Sequence, residues 1–318
     1  MELELRHLRV LCTIADTGSV GRAAAILGAS QPATSTQLRR IEHHLGAPLF
    51  ERTASGVAPT CYGVEVLAAA RDVLARADVL GRRTAEEAQG HRELRLAATN
   101  SPILPGLLTR ARHQQPDLQF TVSTVYRSSE IVELLEGGEI DAALAVDYPG
   151  QELQHSAALA HRGIVTEPSF VTLPAGHRLR HRTEVALADL AGEAWFLTPD
   201  DGAGWPGVFY GACAAAGFSP VTVHEFLGGR LELQEMIAAG LGISPVQATS
   251  RPLTEVVIKP LMGSPVWTRY LLVWRPAAVS GDVVETLFGA ATAAYRDLIA
   301  ESAHFQTWAS RTYRAARP

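Results

Sequence analysis

Glycines at 18, 28 and 46 cut the first fifty residues into three short segments with apolar residues at helical spacing, and this punctuation constrains the fold more than any bulk property of the chain. Leu5, Leu8, Leu11, Cys12 and Ala15 mark the buried stripe of a first helix that stops at Asp16-Thr17-Gly18. Ser19 reads as the N-cap of a second helix through Arg22, Ala23, Ala24, Ala25 and Leu27, and Gly28 is placed to end it in the left-handed conformation open to glycine. That helix is short and alanine-rich, so a neighbour can approach it closely. Ser30 caps the next helix, Pro32 sits in its first turn where no amide donor is missed, and Leu38, Ile41 and Leu45 form its inward stripe before Gly46 terminates it.

Two helices joined by Gly28-Ala29-Ser30 make a helix-turn-helix, in which the second helix can enter the major groove of double-stranded DNA with its N-terminal residues against base edges. Gln31 can bond an adenine edge bidentately, Ser35 and Thr36 can reach bases or phosphates, and Arg39 and Arg40 lie one turn on, where phosphates would be. Spacing alone fits a helical hairpin with a solvated polar face equally well. Charge permits the DNA reading: residues 1–92 carry 11 arginines against 10 carboxylates, within a chain of net charge −5.

The string from Leu5 through RHLRVLCTIADTGSVGRAAAILGASQPATSTQLRRIEHHLGAPLFER resembles the winged helix-turn-helix of the LysR-type transcriptional regulator family almost position by position. Ser30, Gln31, Pro32, Ala33, Ser35 and Gln37 match the family's usual SQPALSRQI, with Thr36 in place of the common arginine. The resemblance implies that Ser30, Gln31, Pro32, Ser35, Thr36, Arg39 and Arg40 meet DNA. It adds Arg52, the family's first wing arginine, ahead of a small hairpin over residues 53–60. Ser55 and Ala58 stand where the family often has basic residues. A weakly charged wing is therefore expected, with a shallower salt dependence, since each lost phosphate contact removes about 0.9 from the slope.

Thr60 caps a helical stretch to about Ala88 in which Leu67, Ala70, Leu74, Ala77 and Gly81 repeat at three and four, and Val66, Val73 and Leu80 at seven. Such a stripe is core or seam. Its outer face carries Arg71, Arg76, Arg82, Arg83 and Glu86, and no neighbouring helix in the chain is evident to cover it. The family pairs two subunits through this helix, so the resemblance implies dimerisation at Leu67, Ala70, Leu74 and Ala77. Gln89-Gly90-His91-Arg92 reads as the hinge into the next domain.

From Leu94 strands and helices alternate, as in a sheet covered by helices. SSEIVELLEGGEIDAALAV and GGRLELQEMIAAGLGISPV share a helix, glycine, short-strand order, which points to two similar lobes. A looser family resemblance runs through Val171 to His177, LADLAGEAWFLT and AAGLGIS. The expected fold class is α/β with an all-α N-terminal part: a winged helix-turn-helix (1–60), a linker or dimerisation helix (61–89) and a two-lobed periplasmic-binding-protein-like (type 2) effector domain (90–303). Lobe 1 is expected at about 93–163 and 267–303, lobe 2 at about 164–266. Residues 304–318, with Arg311, Arg314 and Arg317, are expected to be a mobile basic tail.

A ligand in such a fold sits between the lobes at the carboxyl ends of strands, where helix N-termini present free amides. That geometry selects Thr99, Asn100 and Ser101 after the first strand, Ser128 and Ser129 at a helix start, Asp147 at a strand end and Thr198 at the matching end in lobe 2. Hydroxyls and amides aimed by helix dipoles suit a carboxylate, and Phe196 and Trp205 could stack on a ring. Each serine or threonine equally fits an ordinary N-cap.

Chemistry is not evident. Gly202-Ala203-Gly204-Trp205-Pro206-Gly207 matches G-x-G-x-x-G, with Glu225 near the ribose-binding distance, but Pro206 interrupts it and Pro199-Asp200-Asp201 separates it from the strand. His177 and His181 stand at i and i+4 without the H-E-x-x-H carboxylate, and there is neither a nucleophile elbow nor a phosphate loop. Cys12, Cys61 and Cys213 are too far apart for a metal knuckle. No catalytic residue, metal or cofactor is expected. The expected partners are promoter DNA, a small-molecule effector, further copies of the chain as a dimer or tetramer, and RNA polymerase. No run of about 18 apolar residues and no leader-like N-terminus occurs, so a cytoplasmic protein is expected. A solute-binding protein and a metabolic enzyme are the rival readings.

Overall fold

The computed structural model describes residues 3–53, 56–71, 73, 74, 77 and 92–315, with backbone alone at 53, 92 and 313–315. Expectations resting on Ser55, Arg76, Leu80, Gly81, Arg82, Arg83, Glu86, the 89–91 hinge, the Arg314 side chain and Arg317 lie outside the described residues. The chain divides into two compact units, one within residues 1–90 and one over 91–136 and 140–318.

The first unit holds helices α1 (Leu5–Thr17), α2 (Val20–Ile26) and α3 (Gln31–Leu45), a hairpin of β1 (Phe50–Thr53) and β2 (Gly56–Pro59), and helix α4 over residues 61–71. The expected caps form. Ser19 Oγ accepts from the Arg22 amide at 3.4 Å and Ser30 Oγ from the Ala33 amide at 3.3 Å, each satisfying a donor the helix itself leaves free. Gly28 has φ of +65°, which lets α2 turn directly into α3. Leu11, Ile14, Ala23, Ile41 and Leu49 are fully buried at the centre of the unit. The hairpin is held at both sides: the Val57 amide donates to Gly18 O at 3.0 Å, and Glu42 Oε1 accepts from the amides of Leu49 at 2.8 Å and Phe50 at 3.3 Å.

The stripe expected to pair subunits is occupied within the chain. Leu67, Ala70 and Leu74 are buried in the same cluster as Val10, Leu11, Cys12 and Ile14 of α1, and Arg71 reaches Asp16 at 2.6 Å. Periodicity reported a buried face and left open what covers it; the cover is α1. Ala77 is half-buried, and Tyr62, Val64 and Val73 are exposed among the described residues of this stretch.

In the second unit, lobe 1 begins with β3 (Arg92–Ala98), α5 (Leu104–Gln114), β4 (Leu118–Thr124), α6 (Ser128–Gly137) and β5 (Ala142–Asp147). The 15-residue strand β6 (Ala160–Pro174) then crosses into lobe 2, which contains β7 (Ala194–Leu197), α7 (Gly207–Ala215), β8 (Thr222–Glu225), α8 (Arg230–Ala238), β9 (Ser244–Gln247) and β10 (Val256–Pro260). Strand β11 (Trp267–Trp274) returns to lobe 1, followed by helices α9 (Gly281–Glu301) and α10 (Ala303–Ala315). The main sheet runs β10-β6-β11-β5-β3-β4, with β9 also on β6. Strand β3 is parallel to β4 and β5, whereas β11 is antiparallel to β5 and β6. Strand β6 therefore belongs to both lobes: its first half pairs with β11, its second with β9 and β10.

The segment expected as a mobile tail is α10. Phe305 and Trp308 are buried against Phe170, Ala248 and Ile258 of lobe 2, and Arg311 lies 3.6 Å from Glu184. Three aromatic rings on a sheet face remove enough apolar surface from water to order a helix that charge counting alone read as solvated.

Candidate DNA-reading helix and effector cleft

Helix α3 turns one face to solvent. Thr36, Arg39, Arg40, His43 and His44 share it, at positions i, i+3, i+4, i+7 and i+8. Gln31, at the start of the helix, is exposed, and Gly21 on α2 lies beside its side-chain amide. Ser30 is exposed with its hydroxyl engaged as the cap, Pro32 is exposed in the first turn, and Ser35 is half-buried. Thr36 Oγ1 donates back to Pro32 O at 2.9 Å, so toward DNA it can only accept. Arg52 projects from β1 into solvent. The histidines extend the face past the expected set; their i+7 and i+8 spacing from Thr36 is the signal that would have found them.

The cleft rim divides into free and committed groups. Thr99 is buried at the end of β3, and its Oγ1 has no hydrogen-bond partner among the described residues. Asn100 is exposed and Ser101 buried, with Oγ accepting from the Ile103 amide at 3.3 Å. Ser128, expected to face a ligand, is committed instead. Its hydroxyl donates to Val146 O at 2.7 Å and accepts from the Val146 amide at 3.2 Å, which pins the start of α6 to β5. Its own amide donates to Asp201 O at 2.9 Å. Ser129 is half-buried.

Asp147 is committed as well. It opposes Arg269 in the β5–β11 register and takes a two-pronged ion pair from it, at 2.8 and 2.7 Å, plus the Leu153 amide at 2.9 Å. At 1 % exposure it is a structural counter-charge. Phe196 turns away from the cleft into the lobe 2 cluster of Ile237 and Val256, beside His224 and Phe226. Thr198 is half-buried, and its carbonyl accepts from Trp205 Nε1 at 3.2 Å. Trp205 stacks on Tyr148 of lobe 1, with ring centres 6.3 Å apart.

Two family models match this chain: "LysR substrate binding domain" over residues 87–296 and "Bacterial regulatory helix-turn-helix protein, lysR family" over residues 5–64. The chain belongs to the LysR family. As a LysR-family regulator it is a DNA-binding transcriptional regulator with an effector-binding domain, and not an enzyme. It is 37% identical over 311 residues to the "Small neutral protease regulatory protein" of Streptomyces coelicolor, covering 96% of each chain. It is 32% identical over 282 residues to the "Uncharacterized HTH-type transcriptional regulator YnfL" of Escherichia coli (strain K12), covering 86% of this chain and 93% of that one. Full-length CbnR complexed with its target DNA shares the fold, with TM-score 0.67 and 22% identity over 92% of this chain and 100% of that one.

This LysR-family regulator carries a buried carboxyl where β6 passes between its lobes. Glu167 accepts from Tyr270 on β11 at 2.8 Å and from Tyr295 on α9 at 3.0 Å, while Thr249, from the loop after β9, lies beside it outside hydrogen-bonding geometry. Burial pushes the carboxyl up to about 7, against the lowering effect of the hydroxyls. No sequence pattern marks Glu167, because its partners lie more than a hundred residues away. Among the described residues no group of His, Cys, Asp or Glu is placed to hold a metal, and no helix is long and apolar enough to cross a membrane.

Proposed function

We propose that this regulator reads promoter DNA through the exposed face of α3, with Gln31, Ser35 and Thr36 toward base edges and Arg39, Arg40 and Arg52 on phosphates. It responds to a small effector held at the lobe 1 rim by Thr99, Asn100, Ser101 and Ser129 and from lobe 2 by Thr198 and Trp205. The observation that carries the effector reading is Thr99 Oγ1, buried at a strand end without a partner among the described residues, because a hydroxyl orphaned there costs free energy that a ligand recovers. The working unit is a cytoplasmic homodimer or tetramer that meets two half-sites, with Ala77 and the exposed Val64 and Val73 on the pairing side of the linker. RNA polymerase is the partner that reads the outcome at the promoter.

The test is binding of purified full-length protein to the intergenic DNA beside its own gene, with random competitor and at two salt concentrations. A neutral protease promoter is the second probe, from the name of the Streptomyces relative. Specific binding that survives competitor supports the reading; salt-sensitive binding to any DNA overturns it. For the rim, a metabolite screen by thermal shift should give hits that Thr99→Val abolishes and wild type retains.

A further inference from the structure

The loop between β7 and α7 is the stretch that carries Gly202-Ala203-Gly204-Trp205-Pro206-Gly207, and the structure gives those glycines a use unrelated to nucleotides. Although the loop belongs to lobe 2 by both of its flanking elements, it is seated on lobe 1. The Ser128 amide, first donor of α6, points at Asp201 O at 2.9 Å. Tyr126 donates its hydroxyl to Pro199 O, and Tyr148 donates its own to Asp201 Oδ2 at 2.7 Å. Ala203 is buried in the lobe 1 cluster with Ile131 and Tyr148, and Trp205 packs against that cluster and the lobe 2 core alike.

The loop arrives already shaped. Asp201 Oδ1 accepts from the amides of Ala203 at 2.8 Å and Trp205 at 3.0 Å, so one carboxylate braces the turn through one oxygen and holds lobe 1 through the other. Gly202 has φ of +69°, and a Cβ there would run into Ser129 Oγ; a Cβ on Gly204 would lie 2.9 Å from Gln151 Cβ. Only glycine lets the backbone come this close. Asp201 is 4% exposed, and burial pushes its carboxyl up.

We propose that residues 199–206 are an intramolecular latch whose Asp201 carbonyl occupies the amide at the start of α6 from the opposite lobe, so that an effector at the Thr99 rim acts by displacing that carbonyl while Trp205 stays at the rim. This rests on the cleft being the effector site. A carbonyl on a helix N-terminus takes the position an effector oxygen would take, so the two compete for one donor, and the lobes separate or close according to which wins. The latch explains why the expected hydroxyl of Ser128 is committed to β5: it fixes the amide that the latch engages.

The experiment is hydrogen–deuterium exchange on the full-length protein without DNA, run beside a footprint on the intergenic DNA of its own gene. The variants are Tyr148→Phe, which removes one bond and keeps the stacked ring, and Gly202→Ala, which drives a methyl against Ser129. Exchange over 126–132 and 199–206 should rise about tenfold in Gly202→Ala and several-fold in Tyr148→Phe, while α9 exchanges as in wild type. The effector-free footprint of both variants should differ in extent from that of wild type. Unchanged exchange in both variants overturns the latch, and raised exchange with a wild-type footprint overturns its regulatory role. Should Gly202→Ala fail to fold, Tyr148→Phe decides. A wild-type protein that leaves no footprint overturns the DNA reading, and the exchange arm still judges the latch.

Discussion

Tyr270 donates its hydroxyl to Glu167 at 2.8 Å, and with Tyr295 on the opposite oxygen it encloses a carboxyl that burial holds at about 7 instead of the ordinary 4.5. The folded chain binds this proton more tightly than the unfolded one. Its stabilising contribution is complete below about 4.5, declines as pH rises toward 7, and is gone above it. The full span is about 3 kcal/mol. Glu167→Gln, neutral throughout, should flatten this part of the profile and raise the melting temperature at pH 8 relative to wild type. Melting curves from pH 5 to 8.5 check it; parallel profiles for the two proteins would refute the assignment.

Asp147 and Arg269 stand or fall together. Asp147→Ala leaves a guanidinium at 27% side-chain exposure without its counter-charge and should cost about 2–3 kcal/mol in urea unfolding. The double variant Asp147→Leu with Arg269→Met should recover more than half of that. No recovery would mean that Asp147 works through its Leu153 bond and not through charge.

On DNA, Gln31→Ala should weaken operator binding by roughly 1–3 kcal/mol while leaving random-sequence binding alone, since a bidentate base contact carries discrimination. Equal losses on both would remove Gln31 from base readout. Ala58→Arg should steepen the salt dependence by about 0.9, one added phosphate contact on the wing.

Helix α10 gives a contrast within one element. Trp308→Ala removes a ring that is 6% exposed and should destabilise the protein by about 3–4 kcal/mol. Arg311→Ala, at a half-exposed pair, should change stability by no more than about 0.5 kcal/mol. Comparable losses at the two positions would show that α10 is held by charge.

The helix-turn-helix was legible residue by residue because its determinants are local. Ser19, Gly28, Ser30, Pro32 and Gly46 act within a turn or two of their own backbone, and each does in the fold what its position implies. The strand and helix order of lobe 1 was legible for the same reason. The cleft was legible as a rim and not as a site. Thr99 and Ser101 lie where strand ends place them, but Ser128 is claimed by Val146, 18 positions on, and Asp147 by Arg269, 122 positions on. A serine at a helix start looks the same in sequence whether its hydroxyl is free or spent.

Capping, glycine punctuation and apolar period were thus sufficient to lay out the first three helices and the strand–helix alternation after Leu94, and the family resemblance carried by the same residues supplied the DNA-reading winged helix-turn-helix and the two-lobed domain that follows it in sequence. Which face of α4 is buried in the cluster of α1, whether α10 is tail or core, and which rim groups remain free were decided by tertiary structure alone. Each turns on which distant group reaches the surface first, and burying one apolar face or pairing one charge removes it from everything else it could have done.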